Sequence, residues 1–495
     1  MTRKLSSLKT EMYKKLVQEN ADYPERVIQI GDGNFIRGFI DWMIYEMNQK
    51  SNFAGKVASI QATPRGKTVP KLNRQNELFT LILRGIENGK IINKKHVINS
   101  INKAINPYKN WSDVLKITEQ PEIEFLFSNT TEAGIRYEKE DFLEDVSPLS
   151  FPGKVAALLY HRYVYFNGEK TKGLIVIPCE LIENNGEELK RICLKIIEDW
   201  NLPKSFVQWI NETCVFCNTL VDRIVPGYPK EEDQQIFNHL GYSDELLTVA
   251  EPYHLFVIEG PSSVEEKLPF KQAGLNVHFD NISAYRELKI KLLNGPHTML
   301  AVIGILSEIE TVRECVEDSL IFPFISNTVE EEIVTTLPSS EKEIAKTYIK
   351  ETFDRFANPF LNHRLIDISL NSYAKFKTRI WPSIYEYRIK FGDNPKRLTF
   401  VFASLLYFFK DVQEIHSHKI KDDTNVINKF HQFYNEFDNS KDSLVAFIKN
   451  LIQVDFLENN KDLGNLYEDV AEHFIRIDRE GITSAILKLE RDGDL

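Results

Sequence analysis

A change of period constrains this chain more than any other feature. From residue 26 to about 282, short β-rich runs alternate with helical stretches: "RVIQI", "KVASIQAT", "LFTLILRGI", "IEFLFSNT", "GLIVIPCE" and "LFVIEG". Strand and helix in alternation mark a mostly parallel sheet covered on both faces. From about 283 onward the apolar residues recur at helical spacing, as in "SLVAFIKNLIQVDFL", and credible strands become few. The expected class is therefore α/β, with a sheet domain over 1–282 and an all-helical domain over 283–495. At 495 residues the chain exceeds what one compact core usually supports, which agrees with at least two domains.

The formal charge of -11 argues against a nucleic-acid partner and disfavours an anionic membrane surface. Any anionic ligand must then be met by a local basic cluster. The five cysteines are scattered and odd in number, as in a reduced cytoplasmic protein. Cys214 and Cys217 have the spacing of a redox or metal pair but no second pair to complete a finger, so "TCVFCNTLV" reads as a buried extended segment. The amino-terminal stretch "MTRKLSSLKTEMYKKLVQEN" is charged throughout and has no signal-peptide core. The longest apolar run, "LTFVFASLLYFF" at 398–409, is too short to span a bilayer. A soluble, cytoplasmic protein is expected.

"RVIQIGDGNFIRGF" places Gly31 and Gly33 after an apolar strand and before a helix. That is where a dinucleotide fold turns tightly and brings backbone N–H groups against a pyrophosphate. Ile36 stands where a third glycine would complete the fingerprint, so the motif alone is weak. Arg37, in the first helical turn, gains most if an anion is bound there. "FLFSNTTEAG" supplies small polar residues at a carboxyl-terminal strand edge, where open α/β sheets bind ligands. The candidate cofactor contacts are Gly31, Gly33, Asn34, Phe35, Arg37, Ser128, Asn129 and Thr130. The end of the second strand carries no acid for a ribose 2′-hydroxyl, and Arg65 and Lys67 there suit a 2′-phosphate or plain solvation, which leaves NAD and NADP open.

"ELKIKLLNGPHTMLAVIGIL", residues 287–306, carries Lys289, Asn294 and His297 into an apolar helix. A secondary alcohol that loses hydride must also lose its hydroxyl proton, so a dehydrogenase needs a base and donors for the developing alkoxide. No His or Cys cluster of zinc spacing is present, which makes lysine the candidate base and leaves no metal site. On one continuous helix the three residues share a side. Pro296 lacks an N–H and predicts a kink or a fresh helix start at that point. The same pattern also fits an exposed lysine, a helix end and a core histidine.

The set "IGDGNFIRGF", "FSNTTEAG", "IPCELIENNG", "LVDRIVPGYP", "KIKLLNGPHT" and "RFANPFLNH" followed by "KFKTRIWP" resembles the long-chain polyol dehydrogenase family typified by mannitol dehydrogenase, in the family's order and over nearly the whole chain. The resemblance implies a Rossmann-type amino-terminal domain, NAD as cofactor, and metal-independent catalysis by a lysine. It makes Lys289 the acid/base, Asn294 an alkoxide-stabilising donor and His297 a substrate-positioning donor. It places a second asparagine near the reacting oxygen, carried here to Asn185, with Asn184 adjacent. Gly38 stands where the family usually has Ala, and Pro296 falls inside the catalytic motif. Within the family the nearest match is the hexuronate-reducing branch, with a neutral polyol as the rival substrate and a non-catalytic nucleotide sensor as the reading from another class.

A sugar-acid substrate is an anion, and a chain of this charge must offer it a cation nearby, since charges act over only ~8 Å at physiological salt. In "NSYAKFKTRIWP", Lys375 and Arg379 are four apart and share a helical face, whereas Lys377 points away from both. Arg379 is the better bidentate contact and Lys375 a point charge beside it. Arg355, Asn358 and His363 are further candidate donors.

Overall fold

The computed structural model describes residues 3–5, 22–410, 420–456 and 463–493. Most of the charged amino-terminal stretch lies outside the described residues. The chain divides into two compact units, one of residues 1–84 and 91–285, the other of 85–90 and 286–495.

The first unit is built on six parallel strands: β1 (Glu25–Ile30), β2 (Lys56–Ile60), β3 (Ile101–Ile105), β4 (Phe125–Ser128), β5 (Ile175–Pro178) and β6 (Val215–Phe216). Their spatial order is 3-2-1-4-5-6, the order of a Rossmann sheet, with its reversal of direction between β1 and β4. Successive residues face opposite sides, and each side has its own core. Val27, Phe125, Phe127, Ile175 and Ile177 pack with Phe39, Met43 and Met47 on one face. Ile28, Ile30, Leu126 and Val176 pack with Val155, Leu159, Ile192 and Phe206 on the other. Burial on both faces is why these strands read as apolar runs without alternation.

Two of the expected strand runs lie outside this sheet. Phe79–Glu87 pairs in parallel with Thr248–Ala250 and neighbours Lys90–Ile98. Phe79–Glu87 and Lys90–Ile98 meet at Asn88 and Gly89, both at positive φ, the tight turn that joins hairpin strands. Leu255–Glu259 pairs antiparallel with Asn218–Asp222. In their place the main sheet takes Ile101–Ile105 and the two-residue β6. Cys214 and Cys217 flank β6; both are buried and unbridged, and burial pushes their thiols up to about 11 and about 12.

In the second unit the described residues beyond 286 form helices and no strand longer than an isolated bridge. The apolar run at 398–409 becomes the buried helix Lys396–Phe408. No helix among the described residues is long and apolar enough to cross a membrane.

Candidate active site

β1 ends at the sheet's switch point. The Gly31 N–H donates to the Ile60 carbonyl at 2.9 Å, and its φ of +116° suits glycine alone. A Cβ on Gly31 would lie 2.5 Å from the Asn129 carbonyl oxygen, so this glycine lets β1's turn pass the loop after β4. Gly33 differs: a Cβ there would meet nothing within 4 Å. The protein leaves the space over Gly33 open, which is the access a bound pyrophosphate needs. Helix follows from Asn34, including a π segment at Arg37–Asp41. Gly38, where the family usually has Ala, stands in that segment with room for a Cβ only if Val225 Cγ1, 3.1 Å away, gives by a few tenths of an ångström.

Arg37 corrects an expectation. The residue is 3% exposed, and its guanidinium donates to the Asp32 carbonyl at 2.5 Å, Asn34 Oδ1 at 2.7 Å and Thr248 Oγ1 at 3.1 Å. It braces the turn from within instead of facing an anion. Asn34 is exposed at the amino end, and Phe35 stacks on Phe39 with ring centroids 5.0 Å apart.

Behind the switch point, a buried carboxylate that sequence reasoning passed over joins two loops. Glu180, just beyond β5, accepts from Ser128 Oγ, the Thr130 N–H and Thr130 Oγ1, each at 2.9 Å. Burial raises its pKa while those bonds pull it back down. Ser128 is wholly buried, so its hydroxyl serves Glu180 and no ligand. The Asn129 carboxamide donates to the Cys179 carbonyl at 3.0 Å. An acid directly after a strand-ending Pro178-Cys179 was the available signal.

Asn185, to which the resemblance carries the oxyanion role, opens helix Asn185–Asp199 just beyond the loop after β5. Asn185 is fully buried; its amide donates to the Pro178 carbonyl at 3.1 Å, the Glu180 carbonyl at 3.0 Å and Thr219 Oγ1 at 2.9 Å. Its oxygen accepts the Thr219 N–H at 2.8 Å. These contacts fix the orientation of the carboxamide between β5 and the strand Asn218–Asp222. Asn184, by contrast, is exposed, in left-handed conformation at the N-cap of helix Asn185–Asp199, and its side chain makes no cap bond. At the β2 end, Arg65 and Lys67 are both exposed.

In the second unit, helix Ile282–Lys289 runs into a π segment, Ile290–Asn294, and then into helix Gly295–Leu306. The Gly295 N–H reaches back to the Ile290 carbonyl, the five-residue bond of a π turn. A widened turn is followed by a new α-helical start with Pro296 in its first turn, the second of the two outcomes expected at that proline. It leaves Lys289 and Asn294 half-buried on either side of the bulge. Lys291 is the structural lysine of the segment: buried, with Nζ 2.6 Å from both Glu287 and Glu386 carboxylates, which raise its pKa against the cost of burial.

His297 lies one turn on. Its ring stacks on Phe356 at 4.8 Å and tilts against His363 at 5.3 Å, and its Nε2 is enclosed without a hydrogen-bond partner. Burial, then the positive charge of His363, Arg355, Arg379 and Lys375, pushes its pKa down to about 3. His297 is therefore neutral near pH 7, amid the four groups expected to bind an acid substrate. Burial, with Arg355 adding to it, lowers His363; burial and then Arg379 lower Lys375. Arg379 Nη1 donates to Thr298 Oγ1 at 3.2 Å, and Lys375 Nζ donates to the Ile368 carbonyl at 2.8 Å. Lys377 is exposed, and Asn358 is buried with its oxygen accepting the Phe360 N–H. No group of three His, Cys, Asp or Glu side chains among the described residues is placed to hold a metal.

Residues 25–272 match the mannitol dehydrogenase Rossmann domain, and 281–471 match the mannitol dehydrogenase C-terminal domain. The chain belongs to the mannitol dehydrogenase family. It is 43% identical to the altronate oxidoreductase of Halalkalibacterium halodurans over 444 residues, 88% of this chain and 86% of that one. It is 36% identical to the altronate oxidoreductase of Escherichia coli over 475 residues, 95% of this chain and 98% of that one. Among solved structures, a substrate-free D-sorbitol dehydrogenase superposes with TM-score 0.77 at 20% identity, covering 98% of this chain and 100% of that one. Pseudomonas fluorescens mannitol 2-dehydrogenase, in a ternary complex with NAD and D-mannitol, superposes with TM-score 0.61 at 20% identity over 95% of each chain. At that identity the likeness is one of fold. As a member of the family the chain is an oxidoreductase with a dinucleotide-binding Rossmann domain.

Proposed function

We propose that the chain interconverts D-tagaturonate and D-altronate with NAD as cofactor, without a metal, in the cytoplasmic breakdown of hexuronates. The observation that carries this reading is the cationic set Arg355, Lys375 and Arg379 around the neutral His297, with Arg379 bonded to the neighbouring Thr298 at 3.2 Å and His363 packed on the His297 ring at 5.3 Å. A neutral polyol has no use for such a cluster, whereas a hexuronate carboxylate is matched by it. The names of the relatives, altronate oxidoreductases at 36–43% identity over most of the chain, support the same substrate.

The residues at the switch point fit a dinucleotide: Gly31 turns the chain, Gly33 leaves its backbone open, and Asn34 heads the following helix. Bound there, NADH supplies the hydride. In the reduction, the Lys289 ammonium gives its proton to the substrate oxygen as negative charge develops on it, and in the oxidation its amine takes the hydroxyl proton. The half-buried Asn294 donates a hydrogen bond to that oxygen, which stabilises the alkoxide. Asn185 is the second donor to that oxygen, with the adjacent, exposed Asn184 as the alternative. His297, neutral, holds a substrate hydroxyl, and Arg379 with Lys375, Arg355 and His363 holds the carboxylate. The residues 1–282 then serve the cofactor and 283–495 the substrate. The five unbridged cysteines suit a reduced cytoplasm.

The test is a panel of tagaturonate, fructuronate and fructose against NADH and NADPH, followed by NADH absorbance. Tagaturonate with NADH should have the highest kcat/KM. Preference for fructose would leave a polyol dehydrogenase; preference for fructuronate would move the substrate to its isomer; equal or better turnover with NADPH would assign Arg65 and Lys67 to a 2′-phosphate.

A further inference from the structure

The loop after β4 has an improbable shape. Thr131, a β-branched residue, sits at φ +119° and ψ 164°, a conformation that persists only where the surroundings over-determine it. The loop is also interlocked with the glycine turn: the Asn129 N–H donates to the Ile30 carbonyl at 3.1 Å, and the Asn129 carbonyl oxygen lies only 2.5 Å from where a Gly31 Cβ would be. What determines the loop from behind is one side chain. Glu180 is 2% exposed and its two carboxylate oxygens accept all three donors that Ser128 and Thr130 turn inward. Its own backbone is clasped in turn by Asn185, whose amide donates to the Glu180 carbonyl at 3.0 Å.

We propose that Glu180 is a positioning residue for the dinucleotide: from beneath the sheet's carboxyl edge it holds Asn129–Thr131 in the shape that receives the cofactor beside Gly31. The carboxylate touches neither cofactor nor substrate. It acts through the loop, and the switch point places that loop on the cofactor side of the crevice. This rests on the proposed use of NADH but not on which sugar acid is reduced.

The experiment titrates NADH into the full-length protein without substrate, by fluorescence, and measures kcat and KM for NADH separately. Glu180→Ala leaves the Thr130 N–H and two hydroxyls without their acceptor, so NADH binding should weaken about tenfold or more. kcat at saturating NADH should stay within about threefold, since the chemistry lies elsewhere. Glu180→Gln keeps an oxygen for Thr130 and offers an N–H to Ser128 Oγ, and should restore most of the affinity. NADH affinity within about twofold of the native value in folded Glu180→Ala would overturn the proposal, as would a loss confined to kcat. If Glu180→Ala does not fold, Ser128→Ala decides: Ser128 is wholly buried, so weaker NADH binding supports action through the loop and unchanged binding refutes it. Native protein that fails to bind NADH at all would sink the proposed use of NADH itself, a separate result.

Discussion

Replacing Arg379 by Ala tests the substrate assignment most directly. The guanidinium is half-buried at the carboxyl end of helix Ser372–Arg379, and Nη1 bonds Thr298 Oγ1 at 3.2 Å. The remaining N–H groups are available to a carboxylate, in the fork geometry that only arginine offers. A hydrogen bond to a charged group contributes ~1.5–3 kcal/mol, so kcat/KM for tagaturonate should fall roughly ten- to a hundredfold. Because the carboxylate does not change during the reaction, ground state and transition state lose the same contact and the effect should appear in KM. Arg379→Lys keeps the charge, loses the fork and should fall between the two. NADH affinity, and the residual turnover of neutral fructose, should not move. Tagaturonate kinetics unchanged in both Arg379→Ala and Lys375→Ala would refute the reasoning and remove the carboxylate from this cluster.

Lys289→Ala should lower turnover by roughly 10² to 10⁴, the range of an acid/base group, while NADH binding measured by fluorescence persists; near-normal turnover would sink the role. Asn185→Ala should reduce thermal stability by several degrees and lower kcat, since it leaves the Thr219 N–H without its acceptor, takes one donor each from the Pro178 and Glu180 carbonyls and removes the proposed second donor, whereas Asn184→Ala should leave kcat and Tm nearly unchanged. A loss of kcat in Asn184→Ala and none in Asn185→Ala would move the donor role to Asn184. Asp41 is fully buried beside Gln29, and burial lifts its carboxyl from 3.8 to about 7. An acid with a raised folded pKa contributes stability that is fullest below pH ~4 and is lost as pH rises through ~7. Asp41→Asn does not titrate, so its stability relative to the native chain should climb between those limits by up to ~4 kcal/mol in denaturant melts. A difference independent of pH would contradict a buried, proton-holding Asp41.

The sheet-then-helix order was legible because it depends on periodicity, a local property that each segment carries by itself. The same holds for Gly31, where only a residue without Cβ tolerates the turn. For Lys375 and Arg379, helical spacing alone put both on one face. What the sequence did not reveal were side chains whose meaning depends on distant partners. Arg37 looked like an anion ligand until Thr248, 211 residues away, and the Asp32 carbonyl were seen to hold it. Asn184 and Asn185 are adjacent and identical in type, and only the fold decides that Thr219 and Pro178 close on the second and leave the first exposed. Glu180 was invisible for the same reason: its three donors lie about 50 residues back on a neighbouring strand's loop. Residue type and spacing set which chemistry is possible, while burial and long-range hydrogen bonding, which exist only once the chain has closed on itself, decide which of those groups remains available to a ligand.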